Sequence, residues 1–500
     1  MNKIGFKNFR KFADFPEIEL GGVTILVGGN NAGKSTLVKA MLLMRDFLLL
    51  PILNRRIIPV FKFDTEHVSI GNFGRAICRN SKVNQDTISF KLGLDKYEFC
   101  VDIKGDKKSE DVQPIVSHLC ITDTENNYDF IYEPDRMVAR FGISGKNEVR
   151  AIDLKKNKKD LELLQKELGN TKDLETITMI KDEIAKVSYA LNSLNNNVEE
   201  KEEMVTMKVP DVTYGDSGLL LIPEIVATFV NYISFATRGD KRSAEYKEAE
   251  ANKMILKAKA PYISMISRDI EDLLRHLSIE YIFAHSVSQQ VFYNIVKDSN
   301  DYVTKVVHDF YQARISEGDE EFNFLHQWLK EFEVGDSIKV ISLKGEAYQV
   351  LVIDKKNKKG IDLADKGMGS IQVAILLMRI ATLMRQYKNS DLTILLEEPE
   401  QNLHPALQSK LADLLLDVHR RSEFQFIVET HSEYLVRKSQ VIVANENNSL
   451  NLFENPFKCY YLPNDGKKPY EMLYRKDGNF SNEFGEGFFD TATKLLYDIL

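Results

Sequence analysis

Five hundred residues exceed what a single hydrophobic core serves, so two or three structural units are expected. With 43% hydrophobic and 28% charged residues, the chain has the composition of an ordinary folded protein, which excludes wholesale disorder. Sixty-six Lys and Arg against 74 Asp and Glu give a formal net charge of −8, which excludes non-specific coating of nucleic acid or anionic membrane; any such contact needs a local basic patch.

No stretch reads as the apolar span of about eighteen residues that a transmembrane helix needs. The opening MNKIGFKNFRKF alternates apolar with basic residues and has no apolar signal core. Cys78, Cys100, Cys120 and Cys459 form no CxxC pair and no metal-ligand spacing, which predicts reduced thiols in the cytoplasm.

In chain order, Ile4, Phe6 and Phe9 precede a short turn, and residues 23–27 (VTILV) read as a buried strand running into glycines. A helix is expected from Lys34 to about Leu50, stopped by Pro51. Between them, Gly28-Gly29-Asn30-Asn31-Ala32-Gly33-Lys34-Ser35-Thr36 fits G-x-x-x-x-G-K-[ST] in its strand–loop–helix setting. Glycines let backbone N–H groups wrap a β-phosphate without Cβ clashes, and the helix amino terminus adds partial positive charge. Lys34 is placed to bridge the β- and γ-phosphates, and the Ser35 hydroxyl to ligate Mg²⁺. The segment Asn157-Lys158-Lys159-Asp160 matches the guanine-reading N-K-x-D pattern, but it follows no buried strand, so ATP is expected rather than GTP.

Residues 87–143 alternate as an antiparallel β region, and with the phosphate loop they form a first segment, 1–150. Residues 151–206 are dense in Lys, Glu, Asp and Asn. Leu161, Leu164 and Leu168, then Ile177, Ile180, Ile184, Val187, Leu191 and Leu194, make a heptad seam on two helices around Gly169-Asn170-Thr171. An antiparallel helical hairpin is expected, its second arm roughly 40 Å long at about 1.5 Å per residue; one long helix dimerising with another chain is the competitor. Residues 207–336 read as mostly helical, 337–462 as the second part of the core, and 463–500 as a small C-terminal element.

The second part holds the acids. The apolar run at 392–396 (LTILL) ends in Glu397-Glu398-Pro399-Glu400. A buried strand that delivers acids at its carboxyl end suits magnesium and a general base beside a γ-phosphate. Glu397 is expected to hold Mg²⁺ through water, Glu398 to polarise the attacking water, and Glu400 to be a structural or subunit-contact acid. Pro405 suits the first position of the next helix. A second apolar run at 424–428 (FQFIV) closes in Glu429-Thr430-His431-Ser432-Glu433, placing His431 as a γ-phosphate sensor and Thr430 or Ser432 as a helix cap. Gly367-Met368-Gly369-Ser370-Ile371-Gln372 opens an apolar helix expected over 371–386 and makes a second candidate anion site.

The ordered set GGNNAGKST, GMGSIQ, LLEEPEQNLHP and ETHSE, with the opening KNFRKF, resembles the RecF/OLD-like branch of ABC-type ATPases, relatives of chromosome-maintenance and double-strand-break-repair ATPases. The resemblance covers roughly residues 1–100 and 337–440. It implies an α/β fold: an ABC-type P-loop head with a mixed sheet flanked by helices plus an antiparallel β region, interrupted by the helical hairpin insertion. It also implies that Gly367, Gly369, Ser370 and Gln372 form the signature that contacts ATP held by a second copy, so that hydrolysis needs a homodimer or higher oligomer. GMGSIQ departs from the usual signature, and Gln85 is the candidate for the Q-loop glutamine. No acidic Toprim-like cluster is read in residues 432–500, so no intrinsic nuclease is expected. The set is similar to the stand-alone ATPase subunits of anti-phage systems such as Septu and PARIS, which implies a separate nuclease effector and a nucleic-acid or phage-protein trigger. The rival implication is a RecF-like repair ATPase that binds DNA directly.

Overall fold

A computed structural model describes residues 1–49, 61–79, 86–108, 113–123, 126–132, 136–143, 203–208, 236–283, 290–294, 301–354, 360–388, 390–449, 454–464, 467–485 and 488–489, with single positions and a short run between 159 and 234. The strands are β1 Lys3–Phe9, β2 Phe12–Glu19, β3 Val23–Gly28, β4 Thr87–Leu94, β5 Tyr97–Lys104, β6 Ile115–Thr122, β7 Asn126–Tyr132, β8 Arg136–Ile143 and β9 Glu203–Lys208. They continue as β10 Ile279–Phe283, β11 Tyr293–Asn294, β12 Ser337–Leu343, β13 Ala347–Ile353, β14 Gly360–Asp362, β15 Thr393–Glu397, β16 Gln425–Glu429, β17 Phe457–Leu462 and β18 Tyr470–Glu471. The helices are α1 Lys34–Leu49, α2 Phe73–Ala76, α3 Ala244–His276, α4 Tyr302–Ala313, α5 Glu320–Glu331, α6 Met368–Gln386, α7 Pro405–Ser422 and α8 Glu433–Ser449.

Two large sheets organise these elements. One is antiparallel, in the order β2-β1-β4-β5-β6-β7-β8-β9, and carries the alternation read at 87–143. The other runs β10-β15-β16-β3-β17-β18 and is parallel except at β17–β18. All six residues of β3 are buried, as a Val/Ile/Leu run covered on both faces should be. Alternation along β3 sends Leu26 to one core, shared with α1 and the antiparallel sheet. Val23, Ile25 and Val27 go to the other, built with α4 to α8. The P-loop sheet is therefore the middle layer.

Two expectations change. Within the segment read as mostly helical, Ile279–Phe283 is a strand that pairs in parallel register with β15 and belongs to the central sheet. The charged Glu280 and a position directly after the long helix α3 hide it from periodicity. The apolar span said to be missing also exists: α6 is nineteen residues long and apolar enough to cross a membrane, but most of it is buried as a core helix. Its buried Arg379 is answered by Glu280 at 2.6 Å and Asp309 at 2.8 Å.

In the insertion, residues 161–166, 168, 177, 180, 181, 184 and 187 are helical. Leu161, Leu164, Leu168, Ile177, Ile180, Ile184 and Val187 are half-buried, whereas Leu163, off the seam, is 54% exposed. The turn at 169–171, Leu191, Leu194 and the pairing of the arms lie outside the described residues. On the outer face of the antiparallel sheet, His118 sits between Asp102 at 3.2 Å and Asp129 at 3.1 Å; these two contacts raise its pKa to about 9. Near the carboxyl end, Tyr461 of β17 packs edge-on against Phe484 and Phe488, and Phe488 against Phe489 at 4.2 Å. Gly487 and Asp490, which flank Phe488 and Phe489, lie outside the described residues.

Candidate active site

The P-loop joins the end of β3 to α1 at the carboxyl edge of the central sheet. Gly33 turns with φ 103°, against the Phe12 ring, where a Cβ would come within 2.4 Å. Only glycine fits there. The loop is braced from outside. Lys11, in the β1–β2 turn, donates to the Asn31 carbonyl at 2.6 Å, and Asn464 donates to the Asn30 carbonyl at 3.2 Å. Ala32 packs into the first core.

Lys34 is buried, with 3% of its side chain exposed. Its ammonium donates to the carbonyls of Gly28 at 3.0 Å and Gly29 at 3.3 Å, and to His431 Nε2 at 2.9 Å. Burial lowers the Lys34 pKa, and Glu429 is the largest influence opposing that shift. His431 is likewise pushed down, first by burial and then by Lys34, which suits a neutral ring accepting at Nε2.

The acids converge because β15 and β16 run parallel in register, with Glu397 opposite Glu429. Ser35 Oγ donates to Glu429 Oε1 at 3.0 Å, while Glu429 Oε2 is buried without a hydrogen-bond partner. Burial raises Glu429 to about 7, with Lys34 and Ser35 opposing the rise and Glu397 and Glu398 adding to it. Sequence reading gave Glu429 no role; its only signal is that it ends a buried strand, as Glu397 does. Glu397 accepts a hydrogen bond from the Tyr281 hydroxyl of β10.

Glu398 begins the turn after β15 at φ 43°, a left-handed conformation that costs a non-glycine residue on the order of 1–3 kcal/mol. The turn is held in that shape: Glu398 N donates to the Glu429 carbonyl at 2.7 Å, and Gln401 donates to the Glu398 carboxylate. Glu398 Oε1 lies 3.5 Å from His431 Nε2, so general-base candidate and sensor candidate face each other. Glu400 points inward, 7% exposed, and accepts from the His431 backbone N–H at 2.7 Å. It thus fixes the strand end that carries the histidine. Ser432, not Thr430, caps α8, accepting from Leu435 N at 3.2 Å. Pro405 occupies the first turn of α7 as expected.

Above the loop is a cleft of about 680 Å³ lined by Arg10, Lys11, Lys34, Lys39, Arg75 and Arg79, with Glu429 at its floor. Arg10 and Lys11 come from the β1–β2 turn, and Arg75 and Arg79 from α2 and the segment after it. Their convergence is tertiary and no local pattern announces it. Such a concentration of cations suits a polyphosphate. Among the described residues no three His, Cys, Asp or Glu side chains converge as a metal cage. The Ser35 hydroxyl, the Glu397 carboxylate and the unpartnered Glu429 Oε2 are hard oxygen donors. They fit Mg²⁺, which binds through few protein ligands and completes its shell with phosphate oxygens and water.

The sequence matches the AAA ATPase domain family over residues 1–436. The chain belongs to that family. Similar solved structures include the Smc head domain with an extended coiled coil, bound to the C-terminal domain of ScpA, from Pyrococcus furiosus: 13% identity, 100% of this chain and 98% of that one covered, TM-score 0.34. The SMC head domain from Thermotoga maritima is 12% identical over 92% of this chain and 94% of that one, with a TM-score of 0.29. The Smc head domain with a coiled coil and joint from Pyrococcus yayanosii is 12% identical over 100% and 99%, with a TM-score of 0.33. Among curated proteins, none matches.

In this ATPase the residues expected to form the signature separate into two groups. Gly367 is exposed at the start of α6, and Ser370 is half-buried in its first turn. Gln372, by contrast, is 6% exposed and turned into its own protomer, donating to the Pro399 carbonyl at 3.4 Å and accepting from Asn402 at 3.1 Å. It braces the Glu398 turn and does not face outward as the expected contact to a second copy's ATP. Gly369 packs on the same turn: a Cβ there would meet the Asn402 carbonyl at 2.4 Å, whereas one at Gly367 would meet nothing within 4 Å. Gly369→Ala should cost roughly 1–3 kcal/mol of stability by overpacking, and Gly367→Ala under about 0.5 kcal/mol. Paired thermal melts check the contrast. Gln85 lies outside the described residues.

Proposed function

We propose that this protein is a Mg²⁺-dependent ATPase that works as a homodimer or larger homo-oligomer in the cytoplasm and regulates a nuclease effector carried on a separate chain in anti-phage defence. The observation that carries the hydrolytic reading is the meeting of Lys34, Ser35, Glu398, Glu429 and His431 at one strand edge, beneath a cationic cleft. Bound magnesium would supply Lewis-acid stabilisation of the phosphates, held by Ser35 and, through water, by Glu397. The backbone of Gly28 to Thr36 cradles the β-phosphate, and Lys34 neutralises charge between the β- and γ-phosphates. Glu398 takes the proton of the attacking water, and His431, released from Lys34, holds the γ-phosphate.

The regulatory reading is supported by the resemblance of the ordered motifs to defence ATPases, and by a charged heptad insertion that hydrolysis does not need. Expression with its neighbouring effector should protect cells from phage, or kill them on triggering, and Lys34→Ala should abolish either outcome. The purified chain should cut neither DNA nor RNA. Full protection by this chain alone, or nuclease activity intrinsic to it, would overturn the reading. Tight duplex binding with a steep salt slope would favour direct DNA engagement by a RecF-like repair ATPase instead.

A further inference from the structure

β10 belongs to no nucleotide-binding motif, yet three successive residues of it touch three parts of the ATP machinery. The Ile279 carbonyl accepts from Arg45 of the P-loop helix at 3.0 Å. Glu280 accepts from Arg379 of α6, the helix that carries Ser370, at 2.6 and 3.0 Å. Tyr281 donates its hydroxyl to Glu397 Oε2. The strand is locked against β15 over five residue pairs, from Ile279 opposite Thr393 to Phe283 opposite Glu397. The Tyr281 ring is itself confined, 5.4 Å from the Phe283 ring and 6.3 Å from the His67 ring.

We infer that Tyr281 is a positioning residue for the magnesium site: its hydroxyl holds one oxygen of Glu397 so that the carboxylate meets the metal's water shell in a single orientation. The inference rests on the reading of Glu397 as the magnesium carboxylate. A glutamate has one more rotatable bond than an aspartate, so an acid of this length at the end of a strand sweeps a larger volume. A fixed phenol donor removes that freedom. Groups that orient a metal's ligands commonly carry 10–100-fold of metal affinity. Because Arg45 and Arg379 grip the neighbouring residues of the same strand, the height of Tyr281 is tied to the P-loop helix and the α6 helix.

The test uses the full-length chain and a fluorescent ATP analogue titrated with MgCl₂. Tyr281→Phe keeps the ring and removes only the hydroxyl. It should raise the Mg²⁺ concentration for half-maximal nucleotide binding about tenfold, while affinity in EDTA and the melting temperature stay close to wild type. In a Glu397→Gln background, the same substitution should add little further shift. If Glu397→Gln moves the Mg²⁺ midpoint and Tyr281→Phe does not, the tyrosine has no positioning role and the inference falls while the reading of Glu397 stands. If Glu397→Gln itself leaves the midpoint unmoved, the carboxylate reading falls and takes the inference with it. A loss of nucleotide affinity that is equal with and without Mg²⁺ would make Tyr281 merely structural.

Discussion

Glu398→Gln should bind ATP at near wild-type affinity and turn it over about 10²–10⁴-fold more slowly, the usual effect of removing a positioned base. The substitution is nearly isosteric. Its amide oxygen still accepts from Gln401, and the left-handed turn at Glu398, held by the bond from its backbone N–H to the Glu429 carbonyl, is untouched. What disappears is the group able to take a proton beside His431. Equilibrium binding and single-turnover hydrolysis, measured on the same preparation, separate the two effects. Normal turnover in Glu398→Gln, with loss in Glu397→Gln, would reverse the roles of the two acids.

Lys34→Ala and Ser370→Arg should each be inactive alone and partly active when mixed. Lys34 is enclosed by its own loop, whereas Ser370 stands in the first turn of a helix whose preceding residue, Gly367, is exposed. If the helix start completes a site on a second copy, a mixed pair has one composite site with both defects and one with neither. Random pairing makes half the dimers mixed, so recovery of up to about a quarter of wild-type turnover is expected. Steady-state phosphate release over a range of mixing ratios reads it, with circular dichroism to show that both variants fold. No recovery at any ratio would count against shared sites.

The residues proposed for hydrolysis stand out in the sequence because the chemistry assigned to them demands particular side chains at fixed spacing after a buried strand. Gly33, Lys34, Ser35, Glu397, Glu398 and His431 all lie where strand–turn–helix logic puts them. What stayed hidden depends on lateral neighbours in the sheet, which no window along the chain contains. Glu429 matters because β16 lies in register beside β15. Tyr281 matters because β10 lies on the other side, five residues long and preceded by 33 residues of helix that dominate the local pattern. Arg75 and Arg79 enter the cleft only because the chain folds back from α2 against the P-loop. The resemblance groups Gln372 with Ser370 as a contact to a second copy's ATP, but Gln372 is buried. Helical rotation over two residues turns it roughly 200° away, at about 100° per residue, and into the core.

The position of β3 has a further consequence, for the time course of synthesis. Both of its sheet partners come from the far end of the chain, β16 at residues 425–429 and β17 at 457–462. The ribosome therefore makes the most apolar strand early and its partners more than four hundred residues later, an interval of roughly 20–80 s at ordinary elongation rates. Throughout that interval the β3 backbone lacks both of its final hydrogen-bonding neighbours, and Val23, Ile25 and Val27 lack the late-made residues of their core. Contacts this distant in sequence slow the final closure. Nascent chains should accordingly depend on holding chaperones until residue 462 has cleared the exit tunnel, since the loop's partners His431 and Asn464 are also made late.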